Sequence, residues 1–235
     1  MRSGTMFWAG SIFLLQGISH LAMASTPITN GGFETGALAP WRSTGVVSVA
    51  TGSVSNIAPA EGSFQAVISG FPGTVSQAAL ETFLGLAPGA LNSINTIGGP
   101  ADGSAMAQTI DLQAGDWVEF SWAFAPNGQA SGSENLDSLF YTLHLVSATP
   151  SSVVVLTNNA ASGSAIGYQV HNTGPVAQSG QYVLGFGVFN NASFGSNIDP
   201  IALIDAVIPE PSAVCAVALG AAVLLVCGVR RRGGP

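Results

Sequence analysis

The sequence predicts an all-β exported domain built as a sandwich of antiparallel strands, and three observations predict it. Short alternations of apolar and polar residues recur between clusters of Gly, Ser, Asn and Pro, the pattern of half-buried strands joined by turns. No internal repeat at a fixed period accompanies them, which argues against a solenoid. The apolar stretches at the two ends of the chain have the features of targeting segments, so the sandwich occupies the region between them.

Residues 1–24 have the form of a signal peptide. Arg2 supplies the positive start, Met6 to Leu15 the mostly apolar run, and Ala22-Met23-Ala24 a small-x-small cleavage site before Ser25. Residues 25–208 form the exported domain, about 184 residues and enough for one domain with its own core. Phe33, Val46 to Thr51 and Phe64 to Ile68 supply its early strands. Ser76 suits the N-cap of a helix-forming Gln77 to Leu84, so one or two short helical turns are expected between Ser76 and Asn92, closing one open end of the sandwich.

Ser104 to Leu112 and Trp117 to Phe124 flank the turn Gln113-Ala114-Gly115-Asp116 and are expected to pair as a hairpin. Val118, Phe120, Trp122 and Phe124 share one face of the second arm, with Trp117, Glu119, Ser121 and Ala123 on the other. Later strands are expected at Leu139 to Val146, Ser152 to Leu156, Ile166 to Val170, Tyr182 to Phe189 and Ile201 to Val207, making eight to ten in all. Gly185 and Gly187 thin one face of the Tyr182 strand, where another backbone is expected to come close.

The chain closes with Pro209-Glu210-Pro211, an uncharged apolar run from Ala213 to Val229, and Arg230-Arg231-Arg232. As a helix the run would be roughly 26 Å long and would span a bilayer once. Arginines directly after it match the positive charge of the cytoplasmic side, so the bulk of the chain faces outward.

Charge narrows the function classes. Residues 25–208 carry eleven acidic side chains against the single basic residue Arg42, a net charge of −10 with histidine neutral. Phosphate binding needs several cationic contacts, so nucleic acid is excluded as a partner, and acidic substrates are disfavoured. Both cysteines, Cys215 and Cys227, lie in the C-terminal apolar run, which leaves the exported domain without thiolate chemistry. His144 and His171 are its only histidines, too few for a zinc site of the usual kind. No Gly-x-Ser-x-Gly elbow is present. The acidic residues sit mostly beside Gly, Ser or Asn, as solvated turn carboxylates do, and a hydrolase would need two of them facing one another in a cleft.

Two resemblances add to this reading. Pro209-Glu210-Pro211, a single membrane segment at 213–229 and the arginine cluster 230–232 together resemble a PEP-CTERM sorting signal, covering residues 209–235. That resemblance implies an exosortase as partner, a transient stay in the inner membrane, cleavage near the triplet and delivery to the cell surface or an exopolysaccharide matrix. The stretches Gly103 to Gln108, Ala114 to Asp116 and Phe120 to Phe124 also resemble a segment of exported PEP-CTERM proteins.

Ile28-Thr29-Asn30-Gly31-Gly32-Phe33-Glu34-Thr35-Gly36, followed by Trp41, resembles the opening of galactose-binding-like jelly rolls found in carbohydrate-binding modules. Ile204-Asp205-Ala206-Val207 resembles their closing strand, with Ala206 where the pattern often has Asn. The resemblance implies a jelly-roll sandwich and a structural calcium held by Glu34 and Asp205 with an oxygen from Asn30. It also implies sugar recognition through exposed aromatic rings, for which Trp41, Trp117 and Tyr141 are the candidates. The expected function is a non-enzymatic carbohydrate-binding module bound for extracellular polysaccharide. The alternatives are a structural matrix protein without a specific ligand and, third, a glycoside hydrolase.

Overall fold

The computed structural model describes residues 27–70, 73–94, 101–127, 137–151, 153–158, 165–191 and 199–210. The expected signal peptide, Pro211, the apolar run and the three arginines lie outside the described residues. Among the described residues no helix is long and apolar enough to cross a membrane.

The strands are β1 (Arg42–Thr44), β2 (Val46–Thr51), β3 (Phe64–Ser69), β4 (Val75–Ser76), β5 (Ala101–Leu112), β6 (Trp117–Asn127), β7 (Ser138–Leu145), β8 (Val154–Asn158), β9 (Ile166–Asn172), β10 (Gly180–Asn191) and β11 (Asp199–Glu210). One helix, α1 (Gln77–Leu84), and a 3-10 turn at Ala90–Ser93 interrupt them. One sheet runs β1-β5-β10-β7-β8 with β4 beside β5, and the other runs β2-β3-β11-β6-β9. Every pairing is antiparallel. The chain passes repeatedly from one sheet to the other, which is the crossing habit of a jelly roll.

Strand alternation builds the core. Val118, Phe120, Trp122 and Phe124 of β6 point inward, as do Tyr182, Leu184, Phe186 and Val188 of β10, and they meet Ala202, Ile204 and Val207 of β11. Phe120 lies edge-on to Phe186 at 4.7 Å and to Tyr141 at 5.4 Å, ring contacts that join the two sheets.

The expected hairpin between Ser104 to Leu112 and the Trp117 arm does not form. β5 pairs with β1, β4 and β10, while β6 pairs with β11 and β9 in the opposite sheet, so the turn at Gln113–Asp116 is an arch between sheets. The reason lies in the burial of β5: Ser104 to Gln108 are buried on both faces, which suits an inner strand flanked on both sides. Asp116 holds the arch, its Oδ2 accepting from Gln113 N at 2.8 Å. Phe33 is likewise in a turn at φ 57° and not in a strand, with its ring fully buried. Among the described residues the strand count is eleven because the short β1 and β4 carry no alternation long enough to be read.

Helix α1 starts where expected. Ser76 Oγ accepts from Ala79 N, and Gly85 ends the helix at φ 72°. It does not close an open end of the sandwich. Leu80, Leu84 and Leu91 instead cover the outer face of the first sheet, packed against Ala105, Ala107, Phe140 and Phe189 as a second core. Small residues on β5 and β10 leave the shallow depression this requires. A Cβ at Gly185 would stand 2.5 Å from Leu84 Cδ2, and one at Gly187 would meet the Phe140 ring, so side chains and not another backbone fill the space those glycines leave.

Two buried polar groups pin the cover. Glu81 accepts from Gly89 N (2.8 Å), Leu91 N (3.0 Å) and Gln77 Nε2 (2.9 Å), tying helix to turn. His144, in β7, donates from Nε2 to Leu84 O at 2.9 Å, which supplies the last turn of α1 with one of the partners it lacks. Leu84→Ala should therefore lower unfolding free energy by about 2–5 kcal/mol, as deletions at fully buried sites do. Urea denaturation of the protein would measure it, and an unchanged midpoint would mean that the cover contributes nothing.

Candidate functional site

The two stretches that resemble a jelly roll's ends are brought together. Val207 N donates to Gly31 O at 3.1 Å, so the opening turn lies against the closing strand. Gly31 permits this, since a Cβ there would collide with Val207 O.

Both expected calcium ligands grip one loop. Glu34 Oε1 accepts from Ser63 N and Phe64 N, each at 2.9 Å, and Oε2 accepts from Ser63 N at 3.1 Å. Asp205 Oδ2 accepts from Ala60 N (2.8 Å) and Glu61 N (3.1 Å), and its Oδ1 from Ala206 N (2.8 Å). Gly62 sits between these grips at φ 55°, where any side chain would strike the Glu34 carboxylate. Asn30 braces its own turn: Nδ2 donates to Ala37 O (2.7 Å) and Ala39 O (3.1 Å), and Oδ1 accepts from Thr35 N (3.4 Å).

A calcium ion takes six to eight oxygens around one point. Here the carboxylate oxygens face amide hydrogens, whose positive ends oppose a cation. Among the described residues no three acidic, histidine or cysteine side chains converge closely enough to hold a metal. As placed, Glu34 and Asp205 form a clamp on Ala60–Phe64, and Asn30 braces the turn that carries Glu34.

The clamp continues across the outer face of the second sheet. Tyr168 Oη donates to Gln65 Oε1 at 2.8 Å, and Gln65 Nε2 donates to Gly52 O (2.7 Å) and Ile57 O (3.2 Å), which holds the rest of the loop. Burial pushes the Tyr168 hydroxyl's pKa up, and the Asp205 charge pushes it further. Burial also raises Asp205 above the ordinary carboxylate value, against the lowering by its three amide donors, and the Glu61 charge adds to the rise. Asp205 is 0% exposed and wholly engaged with backbone, so a carboxyl that could resemble a general acid by its shift has no access to a substrate.

The clamp shapes the bulge in β11. Register shifts between Asp205 and Ile208, and Ala206 sits at φ 49°, a left-handed conformation that favours Gly and Asn. This explains physically why an Asn suits that position.

The three candidate ligand-binding aromatics divide. Trp41 is 4% exposed, tilted between Phe33 and Phe186 at 5.9 Å from each, with Nε1 donating to Asn30 O at 3.2 Å. Tyr141 is 5% exposed and packs on Phe120 and His171. Both are core residues. Trp117 is half-buried and lies on the outer face of β6, opposite the inward Val118.

Cross-strand register shows what surrounds Trp117. Glu210 is its partner on β11, and Glu119, two residues along the same face, is paired with Ile208 on one side and Asn172 on the other. Val170 follows Asn172 on that face and is 68% exposed, and Ile208 is 44% exposed. Strands about 4.8 Å apart and like-facing residues about 7 Å apart make a surface of roughly 10 by 7 Å at Cα level. An indole, two carboxylates and an amide thus stand together on an accessible sheet face. Asn172, Ile208 and Val170 were not legible as site residues, and Glu210 was read only as part of the sorting triplet, because only the pairing of β11, β6 and β9 gathers them.

The outer face of the other sheet offers no such platform, since α1 covers it. Arg42, the one basic side chain of residues 25–208, lies over the Phe83 ring at 5.4 Å and so belongs to that cover. His171 takes no part in the Trp117 surface. Its ring lies 5.0 Å from Tyr141 and 5.3 Å from Phe120, and its Nε2 is buried without a partner.

The chain matches no protein-family model and no curated protein sequence. Among solved structures it is similar to the carbohydrate-binding module TmCBM61, solved with beta-1,4-galactotriose, at 16% identity over 79% of this chain and 97% of that one, with a TM-score of 0.45. The CBM22-1 xylan-binding domain from Paenibacillus barcinonensis Xyn10C matches at 13% identity over 77% and 90%, with a TM-score of 0.36. The K1 adhesin domain of Lys-gingipain from Porphyromonas gingivalis matches at 15% identity over 81% and 100%, with a TM-score of 0.40. At these values the likenesses assign neither a family nor a ligand to this chain.

Three outcomes test the site's geometry. Asp205→Ala, which strands three backbone amides beneath the loop, should cost about 3 kcal/mol in denaturant titrations. Millimolar calcium or a chelator should leave the melting temperature unchanged; a calcium-dependent rise that disappears in Asp205→Ala would show the carboxylates turning to a cation. Ala206→Gly should raise stability by up to about 1 kcal/mol by relieving the positive φ.

The pH profile follows from His171, whose pKa burial holds below the ordinary 6.5. The unfolded chain then binds more protons than the folded one in that window, so stability falls as pH drops from about 6.5 toward the lower folded value. His171→Gln should flatten that slope in melting curves taken between pH 7 and 5, and an unaltered slope would assign it to another group.

Proposed function

We propose that this is a non-enzymatic carbohydrate-binding domain, exported and delivered to the cell surface or an extracellular polysaccharide through its PEP-CTERM tail. One observation carries the binding reading: Trp117 stands on an accessible sheet face with Glu119, Glu210 and Asn172 around it. An indole offers a flat apolar surface to the C–H face of a sugar ring, and carboxylate and amide oxygens accept from its hydroxyls. The joining of Gly31 to Val207 supports it too, because the residues that carry the jelly-roll resemblance form one structural unit. The net charge of −10 over residues 25–208 sets the ligand class, since uronic or sulfated chains would be repelled. The expected ligand is therefore a neutral glycan.

Sorting rests on the residues of the tail. The exosortase would act on Pro209, Glu210 and Pro211, with residues 213–229 in the inner membrane and Arg230, Arg231 and Arg232 on its cytoplasmic side. No disulfide, thiolate or cofactor enters this reading.

A glycan array probed with the exported protein should show binding to neutral polysaccharide that Trp117→Ala weakens at least about tenfold, the loss of one stacking platform. Absence of binding to any glycan would leave the structural-matrix alternative. Replacing Pro209, Glu210 and Pro211 together by alanine should leave the protein in the inner membrane, as judged by fractionation, whereas unchanged delivery would remove the sorting reading.

A further inference from the structure

The open face of the second sheet sets a hydrogen-bond acceptor directly beside a donor. Thr173 donates from N to Val118 O at 3.0 Å, and its Oγ1 accepts from Val118 N at 3.0 Å, so these two residues make a hydrogen-bonded rung just past the end of β9. Rungs alternate along an antiparallel ladder. The next one, Glu119 with Asn172, is therefore of the non-hydrogen-bonded kind, in which Cα atoms stand about 4.5 Å apart and side chains lie closest.

The Asn172 amide is held in one orientation. Its Oδ1 accepts from Gly174 N at 2.7 Å, while Thr173 Oγ1 donates to Gly174 O at 3.1 Å and fixes the turn. With Oδ1 engaged, the Nδ2 hydrogens are what this exposed amide offers to a ligand. Glu119, partly exposed beside it, offers acceptors only when ionised. Gly174 has no side chain, and nothing beyond its chain neighbours lies within 4 Å of where its Cβ would stand, so this flank of the face is open.

Resting on the carbohydrate-binding reading above, we propose that Glu119 and Asn172 select two free hydroxyls on adjacent carbons of a sugar ring. One hydroxyl donates to the Glu119 carboxylate, its neighbour accepts from Asn172 Nδ2, and the C–H face of the ring lies on Trp117, one like-facing position along β6 at about 7 Å. A lone hydroxyl satisfies only one of the two groups. The face is a sheet surface and not a closed pocket, so it meets residues within a chain. Linkage then decides the ligand: a 1,4-linked hexose keeps free hydroxyls on C2 and C3, whereas a 1,3-linked one has its C3 oxygen in the linkage and no two free hydroxyls on adjacent ring carbons. The ligand class narrows from neutral glycans to neutral chains that leave such a pair free in each residue.

Long linear glycans, in which chain ends are negligible, provide the test: 1,4-linked glucan, mannan and galactan against 1,3-linked glucan, in pull-down and affinity electrophoresis with the full-length protein. Retention on at least one 1,4-linked chain and none on the 1,3-linked chain is the expected result. Asn172→Asp keeps the acceptor that Gly174 N needs and removes the donor, and Glu119→Ala removes the acceptor; each should weaken retention at least about tenfold with little change in melting temperature. Retention on 1,3-linked glucan, or parental binding by both variants where Trp117→Ala has lost it, overturns the paired selection and leaves the binding reading standing. So does a lack of retention on every 1,4-linked chain when a broad glycan array shows binding elsewhere. No binding on the chains or the array overturns the binding reading and this inference together.

Discussion

Two carboxylates close this sandwich by holding one loop from opposite ends of the chain. Glu34 comes from the opening turn and Asp205 from the last strand, and both accept backbone amides of Ala60–Phe64. The segments they join are some 170 residues apart, so the clamp also closes a long loop of the domain. With one basic residue in residues 25–208, carboxylates cannot be stabilised by ion pairs across the sandwich. Backbone N–H groups are the available donors, and at Asp205 three of them offset part of the rise in pKa that burial causes.

The rest of the second sheet follows from that clamp. Asp205 directs the bulge at Ala206, the bulge turns β11 so that Ile208 and Glu210 face outward beside Glu119 and Trp117, and the accessible surface is assembled there. On the first sheet the opposite occurs. Its outer face is apolar, and α1 with the Ala90–Ser93 turn covers it, held by Glu81 and His144. One sheet is thus closed by the chain itself and the other is left with a polar, aromatic face, which gives the sandwich two unequal sides. The end of β11 completes that face, with Glu210 beside Trp117.

Much of the fold was legible because strand alternation is a local signal. Val46–Thr51 matches β2 at both ends, the inward set of β10 is Tyr182, Leu184, Phe186 and Val188 as read, and Ser76 caps α1. Pairing was not legible. The arch at Gln113–Asp116 has the residues of a hairpin turn, and whether its arms pair or part depends on what lies beside each. Aromatic rings misled for the same reason: nothing local to Trp41 or Tyr141 distinguishes a core ring from a ligand platform, whereas Trp117 was placed by its opposition to an apolar neighbour. The clamp residues Glu34 and Asp205 were read as joint, and their joint partner turned out to be a loop's amides.

What this sequence determined by itself is the kind of element at most places and the acidity that disfavours polyanions. Those properties are carried by neighbours in the chain, through side-chain period, composition and capping. Tertiary structure alone decided which sheet each strand joined, which face α1 covered, and that Trp117, Glu119, Asn172 and Glu210 share a surface. The physical reason is that burial and hydrogen-bond satisfaction are settled between residues far apart in sequence, so the amides that Glu34 and Asp205 accept are presented only by the assembled fold.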